Sequence, residues 1–130
     1  MFDQLEILRM AGGLAGTAAA RQGAIARNVA NANTPGYKAV DVPDFAETYS
    51  ATDGSRLRAT RPGHSLPETD APKAAAAARH RPGTQSPDGN SVSLEAEMVA
   101  AAGARQQHDM ALAIYRSGIG MLRSALGSGR

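Results

Sequence analysis

The sequence predicts a mainly α fold: long N- and C-terminal helices pairing as a coiled-coil-like hairpin, with a short extended segment and a Pro/Gly-rich, largely irregular connector between them. Three observations lead there. Within the 130 residues no proline precedes Pro35 or follows Pro87, so both ends are free to be helical. Apolar residues recur at three- and four-residue steps at both ends, the spacing of one helix face. Between the ends, Pro62, Pro67, Pro72, Pro82 and Pro87 punctuate residues 50–90 and no periodicity survives.

The first helix is expected from Asp3 to about Asn31, with a seam through Leu8, Ala11, Ala15, Ala18, Ile25 and Val29 that is interrupted by Gln22. At 1.5 Å per residue it would be on the order of 40 Å long, more than a small globule accommodates. Ile7, Leu14, Ala18 and Ile25 form an adjacent line, so the apolar surface is wide. Glycines near position 12 weaken the isolated helix by about 1 kcal/mol each relative to alanine. Small residues at Gly12 and Gly16 suit close helix approach.

The helix stops at a composite signal. Asn28, Asn31 and Asn33 carry short amides that compete for backbone groups and favour helix ends. Thr34 precedes a proline, which disfavours helical geometry. Thr34-Pro35-Gly36-Tyr37 fits a type II turn, with Pro35 presetting φ and Gly36 accepting a positive one. Tyr37 to Phe45 then alternates imperfectly and contains Pro43, which reads as a short extended segment or edge strand, with Phe45 and Tyr49 anchoring it. Residues 50–90 read as a connector ordered by partners if at all, with a short alanine run at 74–78 and a turn signal at Asp88-Gly89-Asn90.

Ser93 is the expected cap of the second helix, with Glu95 and Glu97 suited to its positive end. Its seam runs through Leu94, Met98, Ala101, Arg105, His108, Leu112, Tyr115, Ile119, Leu122 and Leu126. A second stripe, Ala111, Ile114, Gly118, Met121 and Ala125, lies beside it. One N-terminal helix can cover only one of them, so the other calls for a neighbour. Arg116 and Arg123 suit the negative helix end, and Gly127-Ser128-Gly129 ends the helix. The organisation is thus 1–36 helix and turn, 37–92 extended segment and connector, and 93–130 second helix. The first and last of these form one core domain.

Composition limits what such a chain can be. About half of its 42% hydrophobic content is alanine, and aromatics are 4%. Burying alanine contributes little at roughly 25 cal/mol per Å², against an ordering cost of about 1–2 kcal/mol per residue. The expectation is a subunit that completes its core with neighbouring copies or partners. A net charge of +2 is dispersed among acids; its densest basic group is Arg56, Arg58 and Arg61. The basic face with stacking aromatics that nucleic-acid binding requires is not present. Absence of cysteine excludes disulfides and thiolate chemistry. Met1 to Arg9 has the wrong charge for a signal-peptide n-region, and no run approaches the ~20 apolar residues of a membrane span.

No chemistry emerges. His64 and His80 have no metal-ligand companion at a working spacing. His108 lies beside Asp109, but neighbours on a helix diverge by about 100° and cannot act as a base and its orienter. No catalytic, cofactor-binding or metal-ligating residue is expected, and no enzyme.

The string Asn28 to Ala39 resembles the N-terminal signature shared by axial proteins of the bacterial flagellum, the rod and hook family. Asp88 to Met98 and Gly120 to Leu126 are similar to the lead-in and the end of the C-terminal helix in a proximal-rod member, and Arg58-Ala59-Thr60 with His64 faintly echoes an element of it. Where His108 stands, relatives commonly carry tyrosine. The resemblance implies a structural subunit of the basal-body rod in the periplasmic space, exported by the flagellar type III apparatus without a cleaved signal peptide. Implied partners are further copies of the chain, other rod proteins, the adapter between membrane ring and rod (FliE-like) and the export gate. Asn28, Asn31, Asn33, Thr34, Pro35, Gly36 and Tyr37 are then the family motif. Leu8, Ile25, Val29, Met98, Leu112, Tyr115, Ile119, Leu122 and Leu126 are the candidate assembly interface. A non-polymerising helical-hairpin adaptor is the rival from another class.

Overall fold

A computed structural model describes residues 2–53 and 78–127. Helix α1 spans Phe2–Ala30, strand β1 Val40–Asp41, helix α2 Phe45–Asp53, strand β2 Arg79–His80 and helix α3 Leu94–Gly127. The two long helices pack against one another along their lengths. They run antiparallel: Leu8, near the start of α1, meets Gly118, near the end of α3. At the other end Asn90, just before α3, bonds the carbonyls that close α1.

The line of closest approach follows a seven-residue repeat of small side chains. On α3 the buried residues are Glu97, Ala104, Ala111 and Gly118; on α1 they are Ala11, Ala18, Ala24, Ile25 and Asn28. The buried line keeps Ala11, Ala18 and Ile25 of the expected seam on α1 and Ala111 and Gly118 of the second stripe on α3, and adds Glu97 and Ala104, which neither stripe contained. The physical reason is size. A row of Ala and Gly lets the backbones come together, and Leu112, Ile119 and Leu122 flank that row half-buried. At Gly118 a Cβ would lie 2.7 Å from Leu8 Cδ2, so Leu8 fills the notch that the missing side chain leaves.

Helix α2 occupies residues where the sequence reading placed the end of the extended segment and the start of the connector. Its start carries a cap: the Asp44 carboxylate accepts from Phe45 N at 2.9 Å, and the Asp44 carbonyl accepts from Thr48 N at 3.2 Å. Asp44 with Glu47 three residues on has the pattern of a capping box. The Phe45 ring lies over Gly13, where a Cβ would come within 2.9 Å of it, and stacks tilted on Tyr49 with centroids 5.6 Å apart. Strand β1 pairs antiparallel with β2, Val40 opposite His80 and Asp41 opposite Arg79. The alanine run at 74–78, the Arg56–Arg58–Arg61 group, the element around His64 and the terminal Ser128-Gly129 lie wholly or mostly outside the described residues.

Candidate interaction site

The hinge after α1 is a polar corner in which each asparagine has a separate position. Asn28 is fully buried, and its amide pairs with one residue twice. Nδ2 donates to the Val40 carbonyl at 2.8 Å, and Oδ1 accepts from Val40 N at 3.0 Å. The side chain therefore stands where a neighbouring strand would stand and closes the free edge of β1. The Tyr37 hydroxyl, from the half-buried ring beside it, donates to the same Oδ1 at 3.4 Å. Asn31 Nδ2 turns back to the Arg27 carbonyl at 2.8 Å, and its Oδ1 accepts from the Thr34 hydroxyl at 3.3 Å. Asn33 and Pro35 face solvent.

Beyond α1 the chain tightens through three-residue steps, Ala32 N to Val29 O at 3.2 Å and Thr34 N to Asn31 O at 3.0 Å. Thr34 O then accepts from Tyr37 N at 3.3 Å, with Gly36 at φ 71°. A helix end leaves carbonyls without partners, and here Asn90 supplies them from far along the chain. Its Nδ2 lies 3.1 Å from Asn31 O, 2.7 Å from Ala32 O and 3.0 Å from Thr34 O. Two hydrogens serve three carbonyls, so one bond is shared. Asn90 Oδ1 accepts from Val92 N at 2.8 Å, which leaves no polar atom of this buried amide idle. Gly89, at φ 79°, brings its backbone against Gly36, where a Cβ would lie 3.4 Å from Gly36 Cα. Gly36 N donates to Asp88 O at 3.0 Å, and Ser91 N to Tyr37 O at 3.0 Å.

A chain of ion pairs extends the corner. Glu97, fully buried at the start of α3, pairs with Arg81, whose guanidinium also lies 3.9 Å from Asp41. Asp41 in turn lies 3.4 Å from Arg21 of α1, and Arg21 lies 4.0 Å from Asp44. Five charges thus tie α3, the residue after β2, β1, α1 and the cap of α2. Glu97 Oε2 is the one buried side-chain polar atom among the described residues with no hydrogen-bond partner.

Of the candidate interface residues, Ile25 is buried inside the hairpin, so its contacts are internal. Leu8, Leu112, Ile119 and Leu122 are half-buried along the seam. Val29, Met98, Tyr115 and Leu126 are exposed, joined by Val99, Met110, Ile114 and Met121. At 100° per residue Val99, Met110, Ile114 and Met121 fall on one side of α3, while Met98 and Leu126 fall on the other. The helix pair therefore leaves apolar side chains open on both flanks of its seam. His108 is half-buried and 3.9 Å from Asp109. Among the described residues no cluster of acids, histidines and cysteines could hold a metal, and no helix is long and apolar enough to cross a membrane.

Sequence reasoning missed Asn90, Arg81 and Glu97. Asn90 reads locally as part of a turn, and only the three-dimensional closure reveals its carbonyl partners. Glu97 sits at a helix start where an exposed acid is ordinary, so its burial carries no signal in the sequence.

Compared with known families, residues 8–38 match the model described as flagella basal body rod protein. The matched segment comprises most of α1 and the hinge through Lys38. No curated protein matches the chain. The match lies within the N-terminal third of the chain and is to a family of flagellar basal body rod proteins.

Proposed function

We propose that this protein is a structural subunit of the proximal rod, similar to FlgB, exported and polymerised into the periplasmic drive shaft of the flagellum. The observation that carries the reading is the coincidence of the matched segment with the hydrogen-bonded corner after α1. The motif residues are held by Asn28 and Asn90, so that string encodes a rigid corner from which two long helices project. The second support is the surface of those helices. Val29, Met98, Tyr115 and Leu126, with Val99, Met110, Ile114 and Met121, are exposed in the single chain. Apolar side chains repeated along both flanks of an elongated hairpin suit lateral packing among parallel copies.

Partners in this reading are further copies, other rod proteins, the ring–rod adapter and the export gate. The segments Asp88–Met98 and Gly120–Leu126 favour the FlgB-like member over the other short rod protein, FlgC. Fractionation decides between a rod subunit and a free adaptor. The tagged chain should sediment with purified basal bodies, and its deletion should leave rings without a rod. Recovery solely in a soluble pool, with rods intact in the deletion strain, would overturn the proposal.

A further inference from the structure

We propose that Met98, Met110 and Met121 form a reversible oxidation site, at which a peroxide turns the unassembled chain into one that packs poorly against its neighbours. Sulfur chemistry on this chain is confined to methionine, for it has five methionines and no cysteine. Four of them lie among the described residues, and α3 carries three of those. Met98 is 67% exposed, Met110 51% and Met121 48%, whereas Met10 of α1 is half-buried. Oxidation follows access to the sulfur, so the three on α3 should react first.

Their placement gives the reaction its effect. Met110 and Met121 stand with Val99 and Ile114 on one open flank of α3, and Met98 stands on the other. None of the three belongs to the buried line of Glu97, Ala104, Ala111 and Gly118 that faces α1. Each can therefore gain an oxygen without disturbing the interior of the hairpin. In that step a sulfur lone pair attacks one oxygen of hydrogen peroxide, and an S–O bond forms as the O–O bond breaks. The departing hydroxide takes the proton left on the transferred oxygen and becomes water. The thioether is oxidised by two electrons to a sulfoxide, and the peroxide is reduced. A flexible apolar group has become a polar hydrogen-bond acceptor. Water satisfies that acceptor in the single chain, but the apolar surface of a neighbour does not. Each sulfoxide covered by a neighbour should thus weaken association about tenfold. Packed copies would in turn shield the sulfurs, which confines the sensitivity to the interval before assembly. Methionine sulfoxide reductases, one for each sulfoxide epimer, reverse the change. The oxidation site depends on the single chain alone; its effect on association rests on the rod reading.

The test follows the full chain under graded hydrogen peroxide by peptide mass spectrometry. One added oxygen should appear on Met98, Met110 and Met121 at a dose that spares Met10, and equal or faster oxidation of Met10 would overturn the site. At that dose the helix content by circular dichroism should be unchanged, while the rise of the thermal midpoint with concentration is lost. Treatment with both reductases should restore the rise. Met10→Leu, a volume-conserving change, should respond to peroxide as the wild-type chain does; a variant that no longer responds would move the cause to Met10. A rise that survives full oxidation of the three, or that is absent before treatment, would overturn the effect on assembly. So would a loss that accompanies collapse of helix content or resists reduction. Sedimentation with basal bodies decides the rod reading separately, and a chain found there with a peroxide-insensitive midpoint would sink the oxidation effect alone.

Discussion

Single side chains at the corner carry consequences that their type alone does not suggest. Asn90 is the clearest case, because its amide is the donor to three carbonyls at the end of α1. Asn90→Ala takes the donor from the Ala32 carbonyl, while Asn31 O keeps Thr34 N and Thr34 O keeps Tyr37 N, and should destabilise the chain by about 1–2 kcal/mol in urea unfolding. Asn90→Asp keeps the shape but sets carboxylate oxygens against carbonyl oxygens, so it should be worse than alanine. Wild-type stability in Asn90→Asp would remove the clamp from the account. Arg81 is the second case. Arg81→Ala strands Glu97 as a buried, unpaired acid, at a cost of about 3 kcal/mol. The cost falls at the low end because Arg81 is 30% exposed and solvent shares its screening. Pairing Arg81→Met with Glu97→Leu should recover most of that loss, as measured by the same unfolding midpoint.

Among the elements, the helices were legible from the sequence and their facing only in part. Proline-free periodic stretches mark α1 and α3, and Pro35-Gly36 marks the stop and the positive φ of the turn. Contact goes to the small members of the apolar stripes, Ala11, Ala18, Ala111 and Gly118, and to Ala104, which neither stripe contained, because only Ala and Gly permit close approach. Leu8 and Gly118 test that packing. Gly118→Ala gains helix propensity worth about 1 kcal/mol but forces Leu8 aside, so it should be near neutral alone. In a Leu8→Ala background the same change should stabilise by about 1 kcal/mol, and additivity in that cycle would contradict the notch. Helix α2 was missed because Phe45 was read as the end of an extended run, although Asp44 and Glu47 form a capping pattern. Asp44→Ala should cost about 1 kcal/mol and raise amide exchange within Phe45–Asp53 ahead of the rest. Among the corner residues, the motif string was legible and its distant partners, Asn90 and Glu97, were not, since burial of a polar group is decided by tertiary closure.

For the molecule as a whole, six of the eight buried apolar residues among those described are alanines. Such an interior is thin, and apolar side chains on both flanks of α3 remain open. Stability should therefore depend on concentration, with the thermal midpoint rising as copies associate. Ile114→Asp or Val99→Asp, at exposed positions, should leave helix content unchanged and abolish that rise together with incorporation into basal bodies. A midpoint constant over a hundredfold dilution would point to a self-sufficient monomer. The clamp by Asn90 also sets an order of events. A polypeptide emerging from its N-terminus delivers α1 long before residue 90, so the last turn of that helix stays frayed until most of the chain has followed. Completion is thereby deferred to a late stage, and Asn90→Ala in the full chain should show its largest rise in amide exchange around Asn31 to Thr34.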